Sequence, residues 1–402
     1  MKKRILFLMS DTGGGHRTAA QAIEEGIHHL HPGRYDVVIE DIWRWHTPWP
    51  VNQIPPTYPW LTGPGLPLWK LIWFSSARLP IHRVLFPSIS PVLHRLAVRF
   101  LKATQPDMIV SVHPLMNHLG VGWLRKARLS IPFVTVVTDL ITTHPLWFCS
   151  GVTHCIVPTE AARDLALKHR FPANKLTVCG QPVSLKFAGT ACNKSAARRK
   201  LGIKADFKTV LIAGGGEGFG QVFEIARAIA QSVPQVQLLL IAGRNRLLKQ
   251  QLEASAWEVP TYVYGFVNNM PDFMAAADVL VTKAGPGTIS EALTMELPMI
   301  ISGFIPGQEQ GNVAYVQNHR VGAYADTPED IARLLSGWFG PDPSILMDMA
   351  QNTQKLARPQ ASIDIARKVC EFAETGINSP EAQPRQLIPR GIHRLVRRHS
   401  FL

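Results

Sequence analysis

Two glycine-rich turns are the first segments of this chain whose residue types suggest chemistry. One runs from Ser10 to His16 (SDTGGGH) and the other from Gly214 to Gly220 (GGGEGFG), and each follows a short apolar run and precedes a helical pattern. Glycine lets the backbone pass close to a ligand, and the amides at the start of a helix favour a phosphate. A single such turn is equally often structural, but two of them, one in each half, predict a ligand held between two domains. Their spacing departs from G-x-G-x-x-G, and the absence of G-x-x-x-x-G-K-[ST] excludes a P-loop NTPase.

A third turn, from Lys283 to Ala292 (KAGPGTISEA), follows an apolar strand and leads into a helix. Its backbone at Gly285–Thr288 can form a nest of amides that holds a pyrophosphate. Glu291 has two interpretations. It is either a carboxylate that interacts only with the helix dipole, or an acceptor of hydrogen bonds from both hydroxyls of a ribose.

The segment from Gly307 to Asn312 (GQEQGN) lies one predicted strand further along. It places three long hydrogen-bonding side chains in a loop bracketed by glycines. A structural loop seldom needs that combination, whereas binding of sugar hydroxyls does. This segment therefore predicts a contact to a sugar.

Charge is distributed unevenly along the chain. The formal net charge is +13, and the stretch from Ile42 to Thr138 has ten basic residues and a single acid, Asp107. The segment after Glu381 adds five arginines and no acid, so the remainder of the chain is nearly neutral. Such asymmetry indicates an anionic partner, which is a nucleic acid, a membrane surface or an acidic substrate.

A cluster of tryptophans lies within the first basic stretch. Six of the ten tryptophans of the chain are Trp43, Trp45, Trp49, Trp60, Trp69 and Trp73. Tryptophan favours the headgroup level of a bilayer and basic residues are attracted to anionic lipid, so membrane contact is the favoured interpretation. Core packing beneath a long loop and binding of single-stranded nucleic acid are the alternatives. Seven prolines between Pro48 and Pro67 predict that this region is mostly loop with short helices.

The elements that must position these residues form a repeating pattern. Short β-branched runs alternate with helical stretches, and six strands are predicted in each half of the 402 residues. This alternation predicts an α/β fold with parallel sheets. We expect an N-terminal domain over 1–185, a C-terminal domain over 186–376 and a basic tail over 377–402, with the polar segment 182–206 as the connection.

Several classes of protein are excluded by the composition. No run approaches the roughly 18 apolar residues that a spanning helix needs. The apolar run after the basic N-terminus is too short for the core of a signal peptide. The five cysteines are an odd set without a C-x-x-C pair, which disfavours a disulfide framework and a zinc site and fits a reducing cytoplasm.

At this point the sequence resembles a known family. Six segments are similar to the diacylglycerol glycosyltransferases: Ser10–Arg17, Thr135–His144, Ala213–Gly220, Ala242–Asn245, Lys283–Ala292 and Pro306–Asn312. That group contains the monogalactosyldiacylglycerol synthases and the bacterial diacylglycerol glucosyltransferases, and it resembles the lipid-linked N-acetylglucosaminyl transferase of peptidoglycan synthesis. The similarity spans roughly Lys2 to Ala373 and is strongest to the monogalactosyldiacylglycerol synthase type. At Ser184 many relatives carry an arginine, and the arginine-rich tail has no counterpart in the family pattern.

The resemblance implies a GT-B fold, in which two Rossmann-like domains face each other across a cleft. It implies a C-terminal domain that binds a UDP-sugar and an N-terminal domain that binds the lipid acceptor. Glu291 would bind ribose, Gln308 and Glu309 would reach the donor sugar, and the glycines would lie near the uridine and phosphates. The expected donor-binding residues are Gly14, Gly15, Gly214, Gly215, Gly216, Glu217, Arg244, Phe266, Lys283, Gly285, Gly287, Thr288, Glu291, Gln308, Glu309 and Asn312.

The same resemblance makes His16 the expected catalytic base. The positive end of its helix lowers the pKa of the imidazole and keeps it neutral near pH 7, although a capping or phosphate-contacting role is the alternative. Asp139, at the end of a predicted strand, is the second candidate base. His113 and His144 either bind the acceptor or orient these groups, or are ordinary loop histidines. No Asp-x-Asp pair is present, so we expect backbone amides rather than a metal to stabilise the leaving diphosphate, with no cofactor.

The expected reaction is transfer of a hexose, galactose favoured, with inversion from a UDP-sugar to 1,2-diacylglycerol. A diacylglycerol β-glucosyltransferase and a nucleotide-sugar epimerase or hydrolase are the alternatives. The expected partners are the UDP-sugar, diacylglycerol and anionic membrane lipid, without nucleic acid. The expected location is peripheral, on the cytoplasmic face of a membrane. The expected acceptor and membrane residues are Trp43, Trp45, Trp60, Trp69, Trp73, His113 and His144.

Overall fold

The computed structural model describes residues 2–47, 49, 51–78, 95–190, 193–216, 218 and 220–376. Three predicted features lie outside the described residues: Glu217, the side chain of Trp45 and the tail 377–402.

The N-terminal domain is built on a parallel sheet of six strands. These are β1 (Lys3–Met9), β2 (Tyr35–Asp41), β3 (Met108–Ser111), β4 (Phe133–Val136), β5 (His154–Val157) and β6 (Leu176–Val178). Their order across the sheet is β2-β1-β3-β4-β5-β6, and every neighbouring pair is parallel. The central strands are buried on both faces, which agrees with their continuous apolar sequences.

The C-terminal domain repeats this plan. Its strands are β7 (Lys208–Ala213), β8 (Val236–Ile241), β9 (Thr261–Tyr264), β10 (Val279–Lys283), β11 (Met299–Gly303) and β12 (Gly322–Tyr324). They are parallel and follow the order β12-β11-β10-β7-β8-β9. The predicted α/β class is confirmed in both halves.

Helices connect the strands and cover both sheets. Those of the first half are α1 (Gly15–Leu30), α2 (Ile42–His46), α3 (Ile54–Thr62), α4 (Leu66–Arg78), a helix over 95–104, α5 (Pro114–Ala127) and α6 (Glu160–Lys168). Those of the second half are α7 (Leu185–Gly189), α8 (Lys194–Leu201), α9 (Val222–Ser232), α10 (Arg246–Glu253), α11 (Met270–Ala276), α12 (Pro286–Thr294), α13 (Gln310–Asn318), α14 (Pro328–Trp338), α15 (Ser344–Leu356) and α16 (Ala361–Thr375). Short 3₁₀ turns occur at Val51–Gln53, Pro145–Trp147 and Ala173–Lys175.

The last helix, α16, returns to the N-terminal domain although its sequence follows the second one. Its apolar side chains, such as Ile365 and Phe372, join the core around β1 and α1. Lys3 donates a hydrogen bond to the carbonyl of Ala373, 2.8 Å away. Gly26 of α1 allows this close packing, because a Cβ there would lie 2.6 Å from the carbonyl oxygen of Ser362. The chain thus crosses between the domains twice.

Two segments are more helical than predicted. The proline-containing region, for which mostly loop with short helices was predicted, forms α2, α3 and the 13-residue α4. Prolines in the first turn of α3 and α4 are tolerated, because those amides have no intrahelical acceptor. Within the predicted connection 182–206, α8 packs on the C-terminal domain, where Arg198 pairs with Asp278 at 2.7 Å.

The carboxyl ends of the strands position the candidate site. His16 follows β1, Asp139 follows β4, Glu291 follows β10 and Gln308 follows β11. In open parallel sheets this edge is where ligands bind. The two domains turn these edges toward each other, as the contacts below demonstrate.

Candidate active site

The first glycine turn directs His16 into the space between the domains. Gly14 has a left-handed backbone (φ 79°) and precedes the first residue of α1. Nδ1 of His16 lies 3.1 Å from Oγ1 of Thr138, and its ring meets the ring of His113 edge to face at 4.7 Å between centroids. Burial lowers the pKa of His16 to about 4, against weaker opposing effects of a hydrogen bond to the backbone of Val112 and the charge of Asp11. His16 is therefore a neutral imidazole at pH 7 and is able to accept a proton.

Asp139 is the second titratable group of this cleft, and it is almost completely buried. Its Oδ2 accepts a hydrogen bond of 2.6 Å from Nε1 of Trp147, and its Oδ1 accepts one of 3.4 Å from Nε2 of Gln308. Burial raises its pKa to about 6, and the nearby charge of Glu309 acts in the same direction. A carboxylate with such a pKa changes protonation near the working pH of a general base.

The two other candidate histidines are also buried, but in different surroundings. His113 touches the ring of His16, and its Nε2 lies 3.5 Å from Oγ1 of Thr12. Burial holds its pKa well below the ordinary value, so it is neutral. His144 instead faces the ring of Trp73 at 4.7 Å, and Ser76 Oγ lies 3.2 Å from its Nε2. His113 is therefore placed to orient His16, whereas His144 belongs to the contact with α4.

The turn after β10 forms an open helix start in the C-terminal domain. Gly285 precedes α12 and Pro286 occupies its first turn, so the amides of Gly287 and Thr288 are those that an α-helix leaves without intrahelical acceptors. A Cβ added to Gly287 would meet nothing within 4 Å, so open space lies beside these amides. An anion is favoured at such a position.

Glu291 lies one turn further along α12. Burial raises the pKa of its carboxyl to about 7, and no other influence on it is resolved. Among the described residues it has no hydrogen-bond partner. A carboxylate held in this way is available to an incoming hydroxyl donor, although its desolvation has a cost that a ligand would offset.

The glycine run after β7 approaches the loop after β8 closely. Gly215 has a left-handed backbone (φ 79°), and the amide of Arg244 donates to the carbonyl of Gly216 at 2.9 Å. Gly243 is required here, since a Cβ on it would lie 2.5 Å from that same carbonyl oxygen. The guanidinium of Arg244 stacks on Phe266 at 4.4 Å, beside an open pocket of about 620 Å³. Gly214, the first residue of this run, is buried directly after the strand.

The 305–309 loop, between β11 and α13, makes contacts to both domains. Glu309 is buried, and its Oε1 pairs with Nζ of Lys283 at 2.6 Å while its Oε2 accepts from the amide of Ile305. Gln308 donates to Asp139 across the domain boundary. Asn312 is buried in α13 and donates to the carbonyl of Ala284 at 2.9 Å, with its Oδ1 unpaired. The candidate sugar-binding loop is thus joined to a candidate base.

Comparisons with known proteins identify the family. Residues 16–183 match the family described as monogalactosyldiacylglycerol (MGDG) synthase, and residues 209–335 match the glycosyltransferase family 28 C-terminal domain. A probable chloroplastic MGDG synthase of Glycine max is 41% identical over 388 residues, which covers 94% of this chain and 73% of the relative. MGDG synthase 1 of Arabidopsis thaliana is 39% identical over the same length and with the same coverage. The chain belongs to the MGDG synthase family.

Solved structures support the same fold for this MGDG synthase family member. MurG of Acinetobacter baumannii matches with a TM-score of 0.59 at 15% identity, over 92% of this chain and 99% of that one. Anabaena HepE in complex with UDP-glucose matches with a TM-score of 0.55 at 16% identity, over 92% and 99%. The expected GT-B fold is confirmed. The family matches and the MGDG synthase relatives, not these structures, identify the chain as a glycosyltransferase.

The tryptophans of this MGDG synthase family member have three different environments. Trp43 is buried in the N-terminal core at 6% exposure, so its predicted membrane contact is wrong and the core interpretation holds for it. Trp60 is 55% exposed and Trp49 is 78% exposed. Trp69 and Trp73 face the 305–309 loop.

Within the described ranges, no helix is both long enough and apolar enough to cross a bilayer.

Sequence reasoning missed two residues that hold the site together. Tyr58 donates to Oε1 of Gln308 at 3.1 Å, and Trp147 donates to Asp139 from a fully buried position. Neither belongs to a local motif, so only their aromatic character near the cleft segments would have marked them. Ser184 donates to Glu25 of α1 at 2.7 Å. Among the described residues, no group of three His, Cys, Asp or Glu side chains could hold a metal ion.

Proposed function

We propose that this protein transfers a hexose, galactose favoured, with inversion and without a metal, from a UDP-sugar to the free hydroxyl of 1,2-diacylglycerol. The product is a monoglycosyldiacylglycerol. The relatives of 36–41% identity are named MGDG synthases, and HepE has the same fold in complex with UDP-glucose. The observation that carries the proposal is the contact between Gln308 and Asp139, because it brings the sugar-binding loop of one domain to a candidate base of the other.

The donor occupies the C-terminal edge in this proposal. Glu291 accepts hydrogen bonds from the ribose hydroxyls, and the amides of Gly287 and Thr288 bind the diphosphate. Gly214–Gly216 and the Arg244–Phe266 pair border the nucleotide. Glu309 exchanges its ion pair with Lys283 for contacts to the sugar when the donor enters. The open space beside Gly287 and the unpartnered carboxylate of Glu291 support this arrangement.

The chemistry then needs a base and a stabilised leaving group. His16, neutral at pH 7, or Asp139 takes the proton of the diacylglycerol hydroxyl as its oxygen attacks the anomeric carbon. The bond from that carbon to the diphosphate breaks as the new glycosidic bond forms on the opposite face, which inverts the configuration. The α12 amides stabilise the negative charge that develops on the diphosphate.

The acceptor reaches the cleft from a membrane surface. Five large apolar side chains of α3 and α4 are more than 40% exposed and form what we call the apolar face: Trp60, Leu68, Leu71, Ile72 and Phe74. Exposed basic residues, including Lys70, Arg78 and Arg99, lie in the same region of the chain. Apolar insertion and electrostatic attraction together fit a protein that binds an anionic bilayer surface without spanning it. The four described cysteines are free, which fits the cytoplasmic side.

The test is an assay of the full chain with diacylglycerol vesicles and UDP-galactose, UDP-glucose or UDP-N-acetylglucosamine in turn. We expect a β-linked galactosyl product that forms equally well with and without a chelator. A glucosyl product would identify the alternative donor. Turnover of the UDP-sugar without lipid would favour an epimerase or hydrolase, and a loss of activity with chelator would overturn the metal-free mechanism.

A further inference from the structure

Three aromatic residues of the α3–α4 hairpin contact three consecutive residues of the 305–309 loop. The hydroxyl of Tyr58 donates to Oε1 of Gln308 at 3.1 Å, and Nε1 of Trp69 donates to the carbonyl of Pro306 at 3.3 Å. The indole of Trp73 packs so closely on Gly307 that a Cβ there would clash with it. We call Tyr58, Trp69 and Trp73 the aromatic clasp.

The clasp residues also contact one another. The rings of Tyr58 and Trp69 meet edge to face at 5.5 Å, and those of Trp69 and Trp73 are 5.6 Å apart. On its other side, Tyr58 lies against the first glycine turn, where a Cβ on Gly13 would be 3.2 Å from its ring. A single side chain thus lies between the turn that carries His16 and the loop that carries Gln308.

The apolar face and the aromatic clasp occupy different sides of the same two helices. In α4, Trp69, Trp73 and Ser76 follow the i, i+4, i+7 spacing of one helical stripe and point toward the loop and His144. Leu68, Leu71 and Ile72 form the neighbouring stripe, which is exposed. Because both sets of residues belong to the same helices, a displacement of the apolar face also displaces the clasp.

Helix α4 contributes no core residue to the domain. No residue of α4 is fully buried, although most of its side chains are apolar. Elements with few buried contacts are the ones whose position shifts with small changes in free energy. Among the described residues, the inner side of α4 is fixed by the contacts of Trp69 and Trp73 with the 305–309 loop and by those of Trp73 and Ser76 with His144.

We propose that Tyr58 and Trp69 are positioning residues that couple docking of the apolar face on a lipid bilayer to the conformation of the 305–309 loop, and so to binding of the donor sugar. The inference rests on the proposed function. A bilayer that holds the hairpin in place holds the clasp, and the clasp orients Gln308 and prevents the loop from moving away. The free protein samples other positions of the hairpin and binds the sugar more weakly.

Coupling of this kind is reciprocal. If vesicles raise the affinity for a UDP-sugar by some factor, the UDP-sugar must raise the affinity for vesicles by the same factor. The nucleotide without its sugar makes no contact with Gln308 in this arrangement. We therefore expect coupling with UDP-galactose and little or none with UDP.

The experiment measures binding of UDP-galactose and of UDP to the full chain by calorimetry, with and without anionic vesicles that lack diacylglycerol, so that no transfer occurs. For the unaltered chain we expect vesicles to raise the affinity for UDP-galactose about three- to tenfold, the amount that one or two neutral hydrogen bonds provide. Tyr58→Phe keeps the ring and removes the hydroxyl donor, and Trp69→Phe replaces the indole by a smaller aromatic ring without its N–H donor. Both variants should lower that factor toward one. Tyr262→Phe, the same change on β9 away from the clasp, should leave the factor unchanged.

The outcomes separate this inference from the proposed function. Equal UDP-galactose affinity with and without vesicles, or a full coupling factor in both clasp variants with unchanged thermal unfolding, would overturn the inference. Adding diacylglycerol to the same vesicles tests the function independently. If the unaltered chain forms no glycolipid while the coupling persists, the proposed acceptor is wrong, but the inference about the aromatic clasp is still supported.

Discussion

Nε2 of Gln308 lies 3.4 Å from Oδ1 of Asp139, and this contact joins a loop of the C-terminal domain to the end of a strand in the N-terminal domain. Gln308 is fixed from its other side by the hydroxyl of Tyr58, so its amide is oriented before any ligand is bound. The carboxylate, the amide and the phenol form a chain of hydrogen bonds across the cleft. In the proposed function, a sugar bound at this loop would therefore lie next to Asp139, one of the two candidate bases.

The raised pKa of Asp139 predicts the pH dependence of transfer. Its carboxyl titrates at about 6, so the ionised form that accepts a proton or orients the site is lost below that pH. At saturating donor, where binding through Glu291 does not limit the rate, we expect kcat to fall tenfold per pH unit below about 6 and to be flat above it. In Asp139→Asn this acid limb should disappear, and kcat should fall about 10²–10⁴-fold. An acid limb that persists with the same midpoint in this variant would assign the titration to another group.

His16 should contribute at every pH in the working range. Because its pKa is about 4, the imidazole is neutral from pH 5 upward and its protonation does not limit the rate. His16→Ala should lower kcat about 10²–10⁴-fold at all these pH values and leave the acid limb near pH 6 in place. His29→Ala, an exposed position of the same helix, is the matched control and should have full activity. A His16→Ala variant with normal kcat would exclude this residue as the base.

Glu291 should make donor binding depend on pH. Its carboxyl has a pKa of about 7 in the free protein, and a ribose whose hydroxyls donate to it needs the ionised form. Binding of UDP-galactose at pH 6.5 should therefore release a proton, and its affinity should rise with pH up to about 7.5 and then level off. The diphosphate diester of a UDP-sugar has no proton of its own to lose in this range.

Calorimetry in buffers of different ionisation enthalpy measures that proton release directly. In Glu291→Gln the release should vanish and the affinity should be lower and independent of pH. Since a hydrogen bond to a charged group contributes about 1.5–3 kcal/mol, the loss at pH 8 should be on the order of tenfold or more. A glutamine variant with unaltered affinity would mean that Glu291 serves only the helix dipole.

Gly287 offers a test of the phosphate site that leaves the fold intact. A Cβ at this position meets open space, so Gly287→Ala should not lower the free energy of unfolding. The added methyl group would instead occupy the space where the diphosphate approaches the α12 amides. We expect the KM for the donor to rise at least about tenfold with little change in thermal unfolding. Gly337→Ala, an equally open position on α14, is the control and should have a normal KM.

Much of the fold could be read from the sequence, for a physical reason. Buried parallel strands are continuous β-branched runs, and the six strands predicted in each half are present. The glycine turns were equally visible, because left-handed and closely packed backbone positions require that residue. The hairpin α3–α4 was not visible in the sequence. Prolines in the first turn of a helix and prolines in a loop cannot be distinguished from the sequence alone.

The contacts that complete the site depend on long-range packing. Tyr58 and Gln308 are 250 positions apart, and the ion pair between Lys283 and Glu309 joins two separate loops. The return of α16 to the first domain likewise leaves no local signal, because its apolar pattern fits either core. Residue type and spacing marked Asp139 and Gln308 as candidates, whereas their contacts with Tyr58 and Trp147 are visible only in the fold.

Two of the three environments of the tryptophan cluster, the core and the exposed surface, lead to opposite consequences for Trp43 and Trp60. Trp43 lies in the N-terminal core, so Trp43→Ala should lower the free energy of unfolding by about 3–5 kcal/mol through the cavity that it leaves. Trp60 is 55% exposed on the apolar face, so Trp60→Ala should change stability by less than about 0.5 kcal/mol.

On a bilayer, however, the indole of Trp60 has about 100 Å² still to bury, and this burial contributes on the order of 2 kcal/mol to binding. Partition of Trp60→Ala onto anionic vesicles should therefore fall by about tenfold, measured by co-sedimentation, while Trp60→Phe should fall less. If Trp60→Ala partitioned like the unaltered chain, the apolar face would not be the surface that enters the lipid.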